Sequence, residues 1–112
     1  MDGYNSDYFS LRVSESLKDS FDDFCRRKGV TASMAVKLYV MRFISDGAPV
    51  RFGQAEIMCQ GRSLRISLRL DASVRKEFSE ACRKYGLPMS QFVRDYMKNC
   101  VVNGDFPFAV GA

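Results

Sequence analysis

Over residues 63–70, SLRISLRL, Ser63, Arg65, Ser67 and Arg69 share one parity and Leu64, Ile66, Leu68 and Leu70 the other. In a β-strand successive side chains point to opposite faces, so this segment has an aliphatic face and a hydroxyl-plus-guanidinium face. The same residue types recur in YFSLRV, where Tyr8, Ser10 and Arg12 alternate with Phe9, Leu11 and Val13. A guanidinium donates hydrogen bonds and keeps its charge throughout, and a hydroxyl both donates and accepts. Histidine is absent, which removes the commonest general base and both the Ser-His-Asp and Cys-His nucleophile systems. No acid/base constellation remains, and the expectation is a non-enzymatic protein without a cofactor.

The distribution of charge adds to this. The chain of 112 residues carries a net charge of +4, the sign that suits an anionic partner. Residues 1–47 balance seven Lys/Arg (12, 18, 26, 27, 28, 37, 42) against seven Asp/Glu (2, 7, 15, 19, 22, 23, 46), so the excess sits in residues 48–112, with ten against six. Cys25, Cys59, Cys82 and Cys100 show no C-x-x-C spacing. No metal site is expected, and all four read as small hydrophobes of a reducing cytoplasm. The sequence shows no signal peptide and no apolar run of about 18 residues, so a membrane location is not expected.

An internal repeat organises the chain. Residues 9–47 align with residues 66–104 at a fixed offset of 57 without a gap. The identical pairs are Ser10/Ser67, Leu11/Leu68, Arg12/Arg69, Ser16/Ser73, Phe21/Phe78, Cys25/Cys82, Arg26/Arg83, Gly29/Gly86, Ser33/Ser90, Val36/Val93, Tyr39/Tyr96 and Gly47/Gly104. Similarity that stays in register so long indicates a tandem duplication.

Each repeat reads strand, helix, turn, helix. The first helix follows a capping residue, Ser14 or Asp71. Its apolar positions, Leu17, Phe21, Phe24 and Cys25, and likewise Val74, Phe78, Ala81, Cys82 and Tyr85, recur at helical spacing. Gly29 and Gly86 stand where a left-handed residue ends a helix. Arg26, Arg27 and Lys28, with Arg83 and Lys84, close these helices where cations offset the helix dipole. The second helix, MAVKLYVMRFI (34–44), is apolar on nearly every side, which predicts burial on more than one side, and its methionines and Tyr39/Tyr96 read as packing. One repeat alone cannot bury it, nor can a lone strand pair with itself. The expected fold is therefore mainly α with a short antiparallel two-stranded β-ribbon, two interlocked units sharing one core. The expected organisation is repeat 1 over 8–47, a linker over 48–62 and repeat 2 over 63–108. The linker could span roughly 50 Å if fully extended. Whether it adds a strand or half a helical turn, and whether the two strands pair within one chain or between chains, stays open. MDGYNSD and FAVGA read as loosely held ends.

Strand–helix–glycine turn–helix units with small polar and arginine residues on the outward strand face resemble the ribbon-helix-helix (Arc/MetJ-type) DNA-binding family, a group of β-ribbon readers of DNA grooves. The likeness covers both repeats. The openings GVTASMAVK and GLPMSQFVR of the second helices, with the GDFPF ending, look like the N-terminal domains of RelB/DinJ-type antitoxins. After Phe108 only AVGA remains, so no toxin-wrapping tail is expected. Tandem copies in one chain resemble TraY-like accessory proteins of plasmid conjugation.

The resemblance implies a single-chain pseudo-dimer that binds double-stranded DNA through the outward face of its ribbon. Carried over by position, the base-reading residues are Tyr8, Ser10, Arg12, Arg65, Ser67 and Arg69. An arginine fork matches guanine O6 and N7, and a serine hydroxyl can serve any base. The family's second contact, a backbone phosphate at the start of the second helix, maps to Thr31, Ala32 and Ser33 and to Met89 and Ser90, Pro88 having no N–H to offer. Thr31 and Ser33 can equally act as plain caps. Because the halves differ, an asymmetric DNA site is expected rather than a perfect palindrome. The function implied is a cytoplasmic, sequence-specific transcriptional repressor of plasmid or phage type, with self-association of pseudo-dimers on DNA as an option. The alternative is an antitoxin-like or conjugation (relaxosome) accessory role exerted through a protein partner.

Overall fold

The computed structural model describes residues 8–46 and 60–106. Six elements follow one another: β1 (Tyr8–Ser14), α1 (Glu15–Lys28), α2 (Ala32–Asp46), β2 (Ser63–Arg69), α3 (Ala72–Lys84) and α4 (Met89–Asn103). The fold is mainly helical, with the two strands forming one antiparallel sheet inside the chain. This pairing answers the question that local sequence left open. The register sets Tyr8 against Arg69, Ser10 against Ser67 and Arg12 against Arg65. Ser10 and Ser67 are also partners across the sequence repeat, so the strands cross at the same residue of each copy.

Local chemistry explains the element ends. Ser14, in extended conformation, accepts the Leu17 amide on its Oγ at 3.2 Å and starts α1 as expected. Asp71 precedes α3 without a side-chain cap bond. Gly29 closes α1 at φ 79°, a left-handed conformation that suits a residue without Cβ, and its N–H donates to the Arg26 carbonyl at 3.1 Å. The next segment begins almost at once with α2.

The core lies between the sheet and the helices. Phe9, Leu11 and Val13 from β1 and Leu68 from β2 point into it, joined by Leu70. The helices cover it crosswise, α1 packing more against α4 than against α2, and α3 more against α2 than against α4. At its centre Tyr39 stacks on Tyr96 with ring centroids 4.0 Å apart and planes 6° from parallel. These two are again partners across the repeat. The Tyr96 hydroxyl donates to the buried Ala35 carbonyl at 3.0 Å, so the polar end of the ring is satisfied. Phe78, fully buried, meets Phe9, Phe43 and Phe92 edge to face.

Two expectations need correction. α2 buries one broad side, with Ala35, Val36, Tyr39, Val40 and Phe43 inside, while Met34, Leu38 and Met41 are 49%, 40% and 45% exposed. Apolar residues all round thus do not mean burial all round, because α1, α3, α4 and β2 meet this helix on its Ala35–Tyr39–Phe43 side and leave the Met34–Leu38–Met41 side exposed. Met34 and Met41 are therefore not packing residues, unlike buried Met97. Tyr85, expected inside, lies at the end of α3 and is 40% exposed.

Of the linker expected over 48–62, only residues 60–62 are described. They fold back on α1, whose Glu15 and Ser16 amides donate to the Arg62 and Gln60 carbonyls at 2.8 and 3.1 Å. Cys59, Gly47 and both chain ends lie outside the described residues.

Burial holds Cys25 and Cys82 as thiols, with pKa pushed up to about 11, and Cys100 up to about 12. In the unfolded chain a thiol titrates near about 8.5. Above that value the unfolded state releases protons that the folded state retains, so stability is fully present below about 8.5 and declines as pH rises through about 11. The urea midpoint should accordingly fall as pH is raised from about 8 to about 10, and the three thiols should stay unreactive to a disulfide reagent until denaturant is added.

Candidate nucleic-acid interface

The strand alternation delivers its two faces as the sequence pattern requires. Tyr8, Ser10 and Arg12 on β1 and Arg65, Ser67 and Arg69 on β2 are all exposed, while the opposite parity turns inward. With the register given, the outer face reads as successive cross-strand pairs: Tyr8 with Arg69, Ser10 with Ser67, Arg12 with Arg65 and Ser14 with Ser63. All six candidate base-reading residues therefore share one surface, with the two serines in the middle. Ser10 Oγ and Ser67 Oγ share a hydrogen bond of 3.0 Å. Arg65 and Arg69 are four residues apart, about 13 Å along the strand.

Electrostatics make this face unusual for a solvated sheet. Arg12 and Arg65 stand directly opposite each other, an arrangement that costs stability because like charges repel across a ladder. Neither strand carries an acidic residue. Among the described residues Arg65 and Arg69 have no ion-pair partner, and Arg12 reaches only the Ser63 carbonyl, at 3.5 Å. A surface with three unneutralised guanidinium forks and two hydroxyls is suited to a polyanion that presents hydrogen-bond acceptors.

The first proposed phosphate contact sits beside this face. Ala32 and Ser33, at the start of α2, line a groove of about 210 Å³ together with Ile66, Ser67 and Leu68 of β2. Ser33 is exposed and Ala32 half-buried. Thr31 acts as a cap, its Oγ1 accepting the Met34 amide at 3.1 Å. First-turn amides of a helix have no intrahelical acceptor, so this end of α2 offers donors beside the sheet. Lys18 and Asp22, paired at 2.8 Å, close the groove. The second proposed contact is less open. Met89 and Ser90 are half-buried, and α4 starts after Pro88 without a side-chain cap bond.

The tie between β1 and α4 is a residue that the strand pattern does not reveal. Arg94 Nη1 donates to the Arg12 carbonyl at 2.8 Å, and Nη2 to Gln91 Oε1 at 3.3 Å. Its only sequence signal is the basic residue at the same place in the first repeat, Lys37. At the basic end of α1, Arg26 and Arg27 pair with Asp23, and Lys28 with Asp105 at 3.3 Å. No cluster of His, Cys, Asp and Glu that could hold a metal ion is found among the described residues. Nor, among them, is any helix long and apolar enough to cross a membrane.

Compared with known proteins, the chain matches no protein family, no curated protein and no solved structure.

The Thr31 cap gives a direct measurement. Thr31→Ala should lower stability in urea by about 1 kcal/mol, whereas Thr31→Ser should keep most of it.

Proposed function

We propose that the chain is a tandem ribbon-helix-helix protein, a single-chain pseudo-dimer, that binds double-stranded DNA sequence-specifically and acts as a transcriptional repressor. The observation that carries this reading is the strand register, which collects Arg12, Arg65, Arg69, Ser10 and Ser67 on one exposed face free of acids. The meeting of repeat partners at Ser10/Ser67 and at Tyr39/Tyr96 supports the pseudo-two-fold arrangement, since residues related by such an axis face each other only on it. A two-stranded ribbon fits the major groove of B-DNA, about 12 Å wide, where each guanidinium can fork onto guanine O6 and N7. Backbone phosphates flank that groove, and the start of α2 lies beside the sheet to meet one of them. Tyr8 stands where the other half has Arg65, so the two half-sites should differ in sequence.

Arg65→Ala and Arg69→Ala should each lose about 1–3 kcal/mol on a duplex selected by the wild-type protein, with relaxed base preference at one position. Affinity should also fall steeply with salt. Unchanged binding and preference in both variants would mean that the ribbon is not the reader.

A second reading, action mainly through a protein partner of the toxin or relaxosome kind, is favoured by one observation. The exposed stripe Met34, Leu38 and Met41 on α2 corresponds across the repeat to Gln91, Asp95 and Lys98 on α4. The same place in the fold is thus apolar in one copy and polar in the other. On α2 the exposed cations Lys37 and Arg42 flank the stripe, which fits an acidic amphipathic helix. The exchange Met34→Gln, Leu38→Asp, Met41→Lys should leave the melting temperature and DNA affinity within about twofold of wild type. It should abolish binding of a synthetic helix with leucines at i, i+4 and i+7 and glutamates beside them. If wild type ignores that helix, this second reading falls.

A further inference from the structure

Past the Arg12–Arg65 pair, at the Ser14–Ser63 end of the sheet, the surface opens into a cavity of about 340 Å³. Arg12, Ser14, Gly61, Ser63, Arg94 and Lys98 line it. Arg94 is fixed from behind by the Arg12 carbonyl and Gln91. Lys98 is half-buried, yet it has no hydrogen bond or ion pair with any described residue. Its ammonium thus has no counter-charge among the described residues, and an incoming anion would supply one. Glu15 stands beside the cavity, its Oε1 lying 2.7 Å from where a Cβ on Gly61 would stand. The Asp95 carboxylate is engaged by Gln91 Nε2 at 2.7 Å.

We propose that this cavity is a phosphate-binding site, with Lys98, Arg94 and Arg12 as its cationic walls and the serine hydroxyls as donors. The size admits a tetrahedral oxyanion with its first shell of water, and the mixture of a fork, a point charge and hydroxyls suits phosphate oxygens. The corresponding described residues of the other half differ. The counterparts of Arg12, Ser14, Arg94 and Lys98 across the repeat are Arg69, Asp71, Lys37 and Met41. With Glu15 and its counterpart Ala72 counted, the groups carry +2 at one end and +1 at the other. The phosphate can come from a DNA backbone beside the groove that holds the ribbon, and in that form the inference rests on the DNA-binding reading. It can equally come from a small phosphate-bearing molecule.

The test uses the full chain and Lys98→Gln, with Lys98→Arg as the conservative rescue and Lys84→Gln, on the far end of α3, as a control for charge alone. In the first arm, affinity for a mixed-sequence duplex of about two helical turns is measured between about 50 and 200 mM NaCl. Lys98→Gln should flatten the log–log salt slope by about 0.9, and Lys98→Arg should restore it. Lys84→Gln should leave the slope in place. In the second arm, inorganic tripolyphosphate is added at constant ionic strength. It should raise the melting temperature of wild type but not of Lys98→Gln if the source is a small molecule. An effect in the first arm alone assigns the DNA backbone, and one in the second assigns a free phosphate. If wild type binds DNA and Lys98→Gln behaves like it in both arms, the site is overturned while the DNA reading stands. If wild type binds no DNA, that reading falls, and the tripolyphosphate arm alone decides the site: no shift overturns it.

Discussion

The structure depends on the antiparallel pairing of Tyr8–Ser14 with Ser63–Arg69. A two-stranded sheet is marginal on its own and persists only when one of its faces is covered. Here Phe9, Leu11, Val13 and Leu68 form that face, and the helices beneath them come from both halves of the chain. The pairing also fixes which side chains are outside. A slip of one residue would turn the arginines into the core and the leucines into water. Burial of the aliphatic face and exposure of the guanidinium face are therefore one constraint, not two.

The crosswise packing of the helices has the same origin. α1 leans on α4 and α3 on α2, so removing either half would strip the other of its cover. A unit of about 45 residues rarely buries enough surface to fold alone. The stacked pair Tyr39 and Tyr96 marks the depth at which the halves meet. Their flat ring faces suit a place where two similar helices approach, and burial raises the pKa of both hydroxyls.

Much of this was legible in the chain itself. Strict alternation marked both strands and their outward residues, and Ser14 and Gly29 marked the ends of the first helix. The repeat set the element order. What could not be read was set by contacts between distant segments. Alternation says that a strand has two faces but not which strand lies beside it, so pairing within the chain emerged only from the fold. Periodicity reports where apolar side chains lie but not what covers them, which is why Met34, Leu38 and Met41 looked like core residues. The placement of Arg94 against the Arg12 carbonyl joins residues 82 positions apart, and no local pattern encodes it.

On the proposed tandem reading, duplication within one chain also accounts for the lopsided surface. In a dimer of identical chains each change appears twice, so a cation added at one end is added at the other. A tandem chain removes that coupling. Some core positions remain paired, as Phe21/Phe78, Cys25/Cys82 and Tyr39/Tyr96 show, while others differ, Ala35 against Phe92 and Phe43 against Cys100. Outer positions differ as well: Tyr8 faces outward where the other copy has Arg65, and Met41 where it has Lys98. The repulsion between Arg12 and Arg65 belongs to the same logic. It falls on the face least involved in burial, where the core beneath can sustain it, and it leaves an excess of positive charge that no acidic residue of either strand offsets.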